Sequence, residues 1–397
     1  MLALAMKHST RLLLSCPVVG CLLVFGFCAA PLSAADAPAD VNSAVSLVPA
    51  GYRHRLVQQL SLAEANQQQW LDAIARAKPE HREAVAFLLV NMPEPDLKAL
   101  KGDFILHNVE LAYEARAKSS WASAIPQELF FNEVLPYANL NERRDDWRAD
   151  FMQRFMPLVK DCKTSGEAAQ VLNREVFKAV KVAYHATKRK KPDQSPYESM
   201  EIHYASCSGL SIILADACRA VGVPARVAGT PLWQDNSGNH TWVEVWDGQW
   251  KFVGAAEPGE FNQTWFGEVA SKANPAQAEH RIYAASYEKT SQPFIMVWDE
   301  RNADYGAVDV TRFYVHRRKL EVKATDAADK PATATIQVRK DGKLIAQSVG
   351  TSAAFELAAD EKYEVAALNA SGEKVIAEVK LGADADVSQA LKLPAVR

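Results

Sequence analysis

The sequence predicts an α+β fold with a helical N-terminal region, a central helix packed on an antiparallel sheet, and a C-terminal β-sandwich. Three patterns support this prediction: apolar residues at helical spacing over residues 56–187, an apolar helix followed by a hairpin within residues 199–266, and strict alternation after residue 315. The chain has 397 residues and is 48% hydrophobic, which is more than one compact core usually absorbs. We therefore expect two or three cooperating units.

The first 35 residues have the features of an export signal. Lys7 and Arg11 stand before or at the start of an apolar run over residues 12–30, and small residues follow at positions 33–35. We predict a signal peptide over residues 1–35 and a protein that is exported to the bacterial periplasm or the extracellular space.

Two other interpretations of this segment stay open. The apolar run approaches the length of a transmembrane span, although Pro17 and the small-residue site favour cleavage. Residues 18–21 resemble a bacterial lipoprotein cleavage box, but apolar residues 22–25 follow where a mature lipoprotein is polar. Lipid anchoring and association with the cell envelope are therefore left as alternatives.

Charge and cysteine content restrict the kind of protein. The formal net charge is −3, so nothing favours a polyanion-binding surface, and we expect no nucleic-acid partner. Three of the six cysteines would leave with the signal peptide, and Cys162, Cys207 and Cys218 would remain. An odd number in an oxidising compartment leaves at least one thiol free or paired outside the chain.

Residues 36–190 are predicted to form the helical N-terminal region. Apolar residues recur at helical spacing, as at Trp70 and Ile74 and again at Phe151 and Phe155. The last helix of this region is predicted to run from near Ser165 to Thr187. The charged residues 188–191 and Pro192 then favour a solvated loop.

Residues 191–312 are predicted to form the central domain. An apolar helical face over residues 210–221 ends at Gly222, and a strand follows at residues 225–228. Residues 240–246 alternate as a strand, and Asp247-Gly248 predicts a tight turn into a second strand at residues 250–253.

Residues 313–397 are predicted to form a small β-sandwich of the immunoglobulin-like kind. Apolar residues alternate in short runs, and turn signals at Asp341-Gly342 and Ser371-Gly372 separate these runs.

Cys207 and His240 are the candidate reactive residues. Cys207 stands at the start of the predicted apolar helix, where unpaired backbone N–H groups stabilise a thiolate. His240 opens the next long strand and is a candidate base for the thiol. Either residue alone is more typical of a structural role, and only their joint placement favours chemistry. Glu201 and His203 lack the spacing of a metalloprotease pair, so no metal site is predicted.

Three segments around these residues resemble the transglutaminase-like superfamily. They are Cys-Ser-Gly-Leu-Ser at residues 207–211, Gly-Val-Pro-Ala-Arg at 222–226, and Asn-His-Thr-Trp-Val-Glu-Val at 239–245. Weaker similarity to an exported bacterial subgroup with a C-terminal β-sandwich continues at residues 125–137, 262–266 and 309–311. The resemblance implies a papain-like fold with Cys207 as nucleophile and His240 as base, and no cofactor.

The third member of the triad departs from the family pattern. The resemblance implies an Asp just after the strand that begins at Trp250, but Gly254 stands there. Glu257, within Gly-Ala-Ala-Glu-Pro at residues 254–258, resembles the carboxylate that a bacterial subgroup uses instead. A triad acid orients the imidazole and balances its charge, which a Glu can also do. The alternative is that Glu257 is an ordinary surface residue.

The predicted activity is acyl transfer or hydrolysis at amide bonds of a protein or peptide substrate through a Cys207 thioester. Nothing in the sequence separates cross-linking from proteolysis or deamidation. The alternative function is a non-catalytic binding or structural protein of the cell envelope that keeps the fold.

Overall fold

The computed structural model describes residues 40–294 and 305–394, which belong to one compact unit spanning Asp36–Arg397. The predicted signal peptide, with its three cysteines, lies outside the described residues. Within the described part of the chain, no helix is long and apolar enough to cross a membrane.

The described part of the chain begins with ten helices. Their bounds are α1 Val41–Ser46, α2 Ala50–Leu62, α3 Gln67–Arg76, α4 Arg82–Asn91, α5 Glu94–Ala99, α6 Gly102–Lys118, α7 Ser120–Ser123, α8 Gln127–Glu133, α9 Arg148–Val159 and α10 Ser165–Val180. Short 3₁₀ turns at Glu64–Asn66 and Pro79–His81 join some of them.

The central domain follows, and it contains both short strands and helices. They are β1 Ala183–Tyr184, α11 Pro196–Ile202, β2 Tyr204–Ala205, α12 Cys207–Ala220, β3 Ala225–Thr230, β4 His240–Trp246, β5 Trp250–Val253, α13 Gly267–Ala270, β6 Tyr283–Ser286 and β7 Gly306–Asp309, with a 3₁₀ turn at Ala278–His280.

Within residues 311–394, the structure has one short helix and seven strands. They are α14 Thr311–Val315, β8 Arg317–Thr325, β9 Ala334–Lys340, β10 Lys343–Gly350, β11 Ser352–Ala358, β12 Glu361–Leu368, β13 Lys374–Leu381 and β14 Val387–Lys392. The α+β class predicted from the sequence is confirmed.

Helix α12 occupies the centre of the molecule. Every residue from Ser208 to Ala220 is buried, because the helix packs against α9, α10, β3 and β4. Ser206 caps its N-terminus, and Gly222, with a φ of +81°, follows its C-terminus in the conformation that glycine favours. Cys207 is the first residue of the helix and the one residue of it that is not fully buried.

Buried arginines fix the C-terminal half of α12 against the helical region. Arg148 of α9 donates to the carbonyl of Arg219 at 3.1 Å, and Arg219 donates to the carbonyls of Ala138 at 2.9 Å and Ala225 at 3.0 Å. Arg148 is 1% exposed. These bonds give buried carbonyl groups charged hydrogen-bond donors.

The central sheet has the strand order β5-β4-β3-β6-β7, and every neighbouring pair is antiparallel. One face, which includes Val227, Val243 and Val245, packs in the same core as α12. The other face carries Trp242 and Phe252, which form a separate aromatic core with Phe266. The predicted hairpin is confirmed, with Gly248 in the turn at a φ of +77°.

The C-terminal strands form two sheets that share one core. A four-stranded sheet has the order β10-β9-β12-β13, and a three-stranded sheet has the order β11-β8-β14. Buried residues from both sheets form a common hydrophobic cluster, which includes Leu320, Val338 and Phe355. The immunoglobulin-like kind of this sandwich stays a prediction.

One predicted helix end is wrong. The helix that begins at Ser165 ends at Val180 rather than at Thr187. Lys181 adopts the left-handed conformation, with a φ of 57°, and ends the helix, and Ala183–Tyr184 instead pairs in parallel with Tyr204–Ala205. This pairing across 21 residues gives residues 183–184 a partner that local periodicity does not reveal.

Candidate functional site

Cys207 sits at the N-terminus of α12, as the sequence predicts. The hydroxyl of Ser206 accepts the N–H of Gly209 at 3.0 Å and donates to the carbonyl of Pro192 at 2.6 Å. This cap does not use the N–H groups of Cys207 and Ser208, which therefore remain available to stabilise negative charge near the sulfur. The thiol itself is half-buried and free.

A buried hydrogen bond joins the start of α12 to the start of β4. Ser208 Oγ and Thr241 Oγ1 are 3.1 Å apart, and both residues are 1% exposed. Each is the residue immediately after a predicted catalytic residue. The bond therefore brings the beginnings of the two elements that carry Cys207 and His240 to the same end of the sheet.

The ring of His240 is surrounded by aromatic side chains. Its centroid lies 4.8 Å from that of Trp265, 4.9 Å from Phe266 and 5.9 Å from Trp242. Nε2 is buried and has no hydrogen-bond partner among the described residues. Burial lowers the pKa of His240 to about 4, so the imidazole is neutral at pH 7 and can accept a proton.

The Glu257 side chain lies against Gly254. A Cβ atom placed on Gly254 would lie 2.7 Å from the Glu257 Cδ and would clash with Oε2. Continued register from the Val243–Val253 pair places residue 254 opposite Trp242, on the sheet face that His240 shares. A carboxylate from position 257 therefore enters the volume that a side chain at position 254 would fill.

Asn173 of α10 holds the turn that carries Glu257. Its amide donates to the carbonyls of Gly254 at 2.9 Å and Glu257 at 3.2 Å, and its Oδ1 accepts the N–H of Ala256 at 2.9 Å. Ala256 has a φ of 64°, a conformation that costs an alanine about 1–2 kcal/mol. The buried Asn173 side chain offsets this strain and fixes the turn.

Trp265 connects Glu257 to His240. Its indole N–H donates to Glu257 Oε1 at 3.0 Å, and its ring lies beside the His240 ring. Partial burial raises the pKa of Glu257, and the hydrogen bond from Trp265 opposes that rise. The Trp265 side chain is 61% exposed.

The structure therefore places the three predicted residues around one end of the sheet without joining them. Among the described residues, no hydrogen bond connects His240 to Cys207 or to Glu257, so the triad stays a prediction. Sequence analysis missed Asn173 and the role of Trp265. Residues 262–266 resemble a segment of the exported bacterial subgroup, but their local sequence pattern does not indicate that one of them contacts His240.

A metal centre finds no support in the described residues. No group of three or more His, Cys, Asp or Glu side chains is arranged to bind a metal ion there. Cys218 is fully buried inside α12, and burial raises the pKa of its thiol. Cys207 is thus the thiol best placed for chemistry.

A thiol at a helix start and a histidine that opens a strand of an antiparallel sheet are the two features that the sequence predicts for a papain-like site. Residues 154–255 match the family model of the transglutaminase-like superfamily. The matched segment includes Cys207 and His240 and stops two residues before Glu257.

Solved structures show weaker likenesses. A candidate cysteine protease from Cytophaga hutchinsonii is 13% identical, with 48% of this chain and 66% of that chain covered and a TM-score of 0.28. The Bacillus anthracis TIE protein is 12% identical, with 43% and 30% covered and a TM-score of 0.17. A search of curated proteins found no match.

We predict that His240 titrates near pH 4 in the folded protein. Because its folded pKa lies below the unfolded value of about 6.5, stability is lost as the pH falls from about 6.5 towards 4. The imidazole resonance, assigned by its loss in His240→Gln, can be followed by NMR. A midpoint near 6.5 would contradict a desolvated, neutral ring.

We predict that Trp265→Phe slows acylation of Cys207 by p-nitrophenyl acetate and moves the acid limb of the rate profile to higher pH. Phenylalanine keeps a ring beside His240 but removes the indole N–H, so the pKa of Glu257 rises further. Trp233→Phe is the control, because Trp233 packs 6.2 Å from His240 and makes no described hydrogen bond to Glu257. If the acid limb of the Trp265→Phe rate profile does not shift, Trp265 does not act on catalysis by positioning Glu257.

Proposed function

We propose that this protein is a cysteine acyltransferase or amidase that acts on amide bonds of proteins or peptides. Cys207 is the nucleophile, His240 the general base and Glu257 the residue that orients the imidazole. The observation that supports this most directly is the Ser208–Thr241 bond, because it brings a thiol at a helix N-terminus to the same end of the sheet as a desolvated histidine.

In the first step, Cys207 Sγ attacks the amide carbonyl carbon as its proton passes to His240 Nε2. The carbonyl oxygen becomes an oxyanion that the N–H groups of Cys207 and Ser208 stabilise. The C–N bond then breaks, His240 gives its proton to the leaving nitrogen, and ammonia or an amine departs. A thioester on Cys207 remains.

In the second step, an amine or water attacks the thioester carbonyl. His240 takes a proton from that nucleophile, the C–S bond breaks, and the proton returns to the sulfur. An amine gives a new amide, and water gives a carboxylate. The Trp265 ring beside His240 is exposed to solvent.

Glu257 is the third member of the site because a buried imidazolium needs a counter-charge. The burial that lowers the pKa of His240 to about 4 makes the protonated ring unfavourable. Oε2 of Glu257 lies where it would clash with a Cβ atom at position 254, on the sheet face that His240 shares, which supports this role. Asn173 and Trp265 hold it there.

We also propose that the chain is exported and processed near residue 35. This rests on the basic, apolar and small-residue segments at its start. N-terminal sequencing of the protein isolated from its host should begin at or near residue 35 or 36. A chain that still begins at Met1 would contradict processing.

We predict that Cys207→Ala abolishes turnover of a glutamine-containing peptide, while Glu257→Gln reduces it by roughly 10²- to 10⁴-fold. The amide that replaces the carboxylate in the second variant orients the ring poorly and cannot balance its charge. Glu257→Asp should be intermediate, since its arm is one methylene shorter. Mass spectrometry with and without added methylamine distinguishes the transamidated product from the hydrolysed one.

Glu260→Gln is the matched control, because Glu260 is another exposed carboxylate in the same loop. It should retain wild-type turnover. If Cys207→Ala keeps wild-type turnover, Cys207 is not the nucleophile. If both Glu257 variants keep full activity, Glu257 is an ordinary surface residue.

A further inference from the structure

A loop over residues 186–191, here called the basic loop, is held beside the candidate thiol at both of its ends. At its start, the N–H of His185 donates to the carbonyl of Ala205 at 2.9 Å. At its end, the carbonyl of Pro192 accepts the hydroxyl of Ser206 at 2.6 Å. Ala205 and Ser206 are the two residues that immediately precede the thiol, so the basic loop begins and ends next to it.

Polar contacts also fix the interior of the basic loop. The side chain of Gln194, which is fully buried, accepts the N–H of Lys190 at 2.8 Å and donates to the carbonyl of Tyr204 at 3.1 Å. His185 Nδ1 accepts the N–H of Lys188 at 3.1 Å. The backbone that carries the basic side chains is therefore set by the fold of the central domain.

The basic loop has four consecutive cationic residues, at positions 188–191, and no carboxylate. Two of the four lie close to carboxylates of α11. Lys190 is 3.4 Å from Glu201, and Lys191 is 3.1 Å from Glu198. Ion pairs at the surface contribute little to stability, so these lysines can exchange their partners for an acidic ligand.

Lys188 is the cation of the loop whose position is best defined. Its side chain is exposed, Nζ lies 4.9 Å from the ring centroid of Tyr204, and it forms no ion pair with another described side chain. Tyr204 precedes Cys207 by three residues. The Lys188 ammonium is therefore within about 20 Å of the Cys207 Cα, which about six residues of extended peptide span.

The charge around the site changes sign between the thiol and the imidazole. Residues 185–202, which comprise the basic loop and α11, have four lysine or arginine residues and three carboxylates. The loops beside His240 have none of these cations: residues 231–239 contain one carboxylate, and residues 254–266 contain two. The chain that precedes the thiol is thus more positive than the loops around the imidazole, and such a difference orients a charged partner.

We propose that the basic loop binds acidic residues of the peptide that supplies the acyl group, with the Lys188 ammonium as the main contact. This selectivity rests on the proposed function, because it concerns the peptide from which Cys207 takes its acyl group. It names the substrate class: peptides with Asp or Glu within about six residues of the reactive amide. Acidic residues beside Lys188 form charge-assisted hydrogen bonds, whereas the carboxylates near His240 repel them.

Alkylation of Cys207 by iodoacetylated peptides tests this docking without requiring amide chemistry. Two C-terminally amidated probes, iodoacetyl-Gly-Gly-Glu-Glu and iodoacetyl-Gly-Gly-Gln-Gln, differ only in charge, and peptide mapping gives the rate at Cys207. At low ionic strength the Glu probe should react roughly two- to tenfold faster, as expected for one or two exposed ion pairs. Salt at about 1 M should remove the difference.

A variant of the basic loop locates the effect. Lys188→Gln/Arg189→Gln should abolish the preference for the Glu probe, and the ratio of the two rates cancels any change in the thiol itself. Lys362→Gln/Lys380→Gln is the matched control, because it removes the same charge from exposed, cross-strand positions of the sandwich. The preference should persist in that control.

Equal rates for the two probes on the wild-type protein, a preference that survives in the loop variant, or a preference lost equally in the sandwich variant would each overturn the proposal. Binding to phosphatidylglycerol vesicles that the loop variant loses, without any probe preference, would instead assign the basic loop to a membrane surface. If glutamine peptides are not turned over while the probe preference stands, the amide chemistry is wrong and the docking of acidic peptides is retained.

Discussion

The fold depends on the complete burial of α12. Thirteen consecutive residues, from Ser208 to Ala220, are buried, so helices and sheet must surround this helix on every side. Its polar groups then need partners within the protein, and Ser206, Thr241 and Arg148 provide them at its two ends. The position of Cys207 follows from this burial, since the N-terminus is the one place where the helix meets solvent.

The same constraint separates the two faces of the central sheet. One face is committed to α12, so the aromatic side chains of the other face assemble around His240 and exclude water from its ring. Desolvation is what keeps the imidazole neutral. It also makes the charged form unfavourable, so the proposed mechanism needs a carboxylate near the ring, and Glu257 is the one proposed.

The sequence was sufficient for features that depend on local pattern. The bounds of α12, the hairpin around Gly248 and the alternating strands of the sandwich follow from periodicity, caps and turn residues. The end of α10 at Val180 could not be predicted in this way, because residues 183–184 pair with a strand 21 residues away. Asn173 and Trp265 act on Glu257 from 84 and 8 residues away, and periodicity does not encode such contacts.

The most direct test of this account is the relative reactivity of the three thiols left after predicted export. Iodoacetamide labelling near neutral pH, followed by peptide mapping, should modify Cys207 much faster than Cys162. Cys218 should stay unmodified in the folded protein. Burial raises the pKa of both Cys162 and Cys218, which lowers their thiolate fraction. The preference for Cys207 should disappear in His240→Gln. Labelling of Cys207 no faster than Cys162, or a preference that survives the loss of His240, would contradict the account.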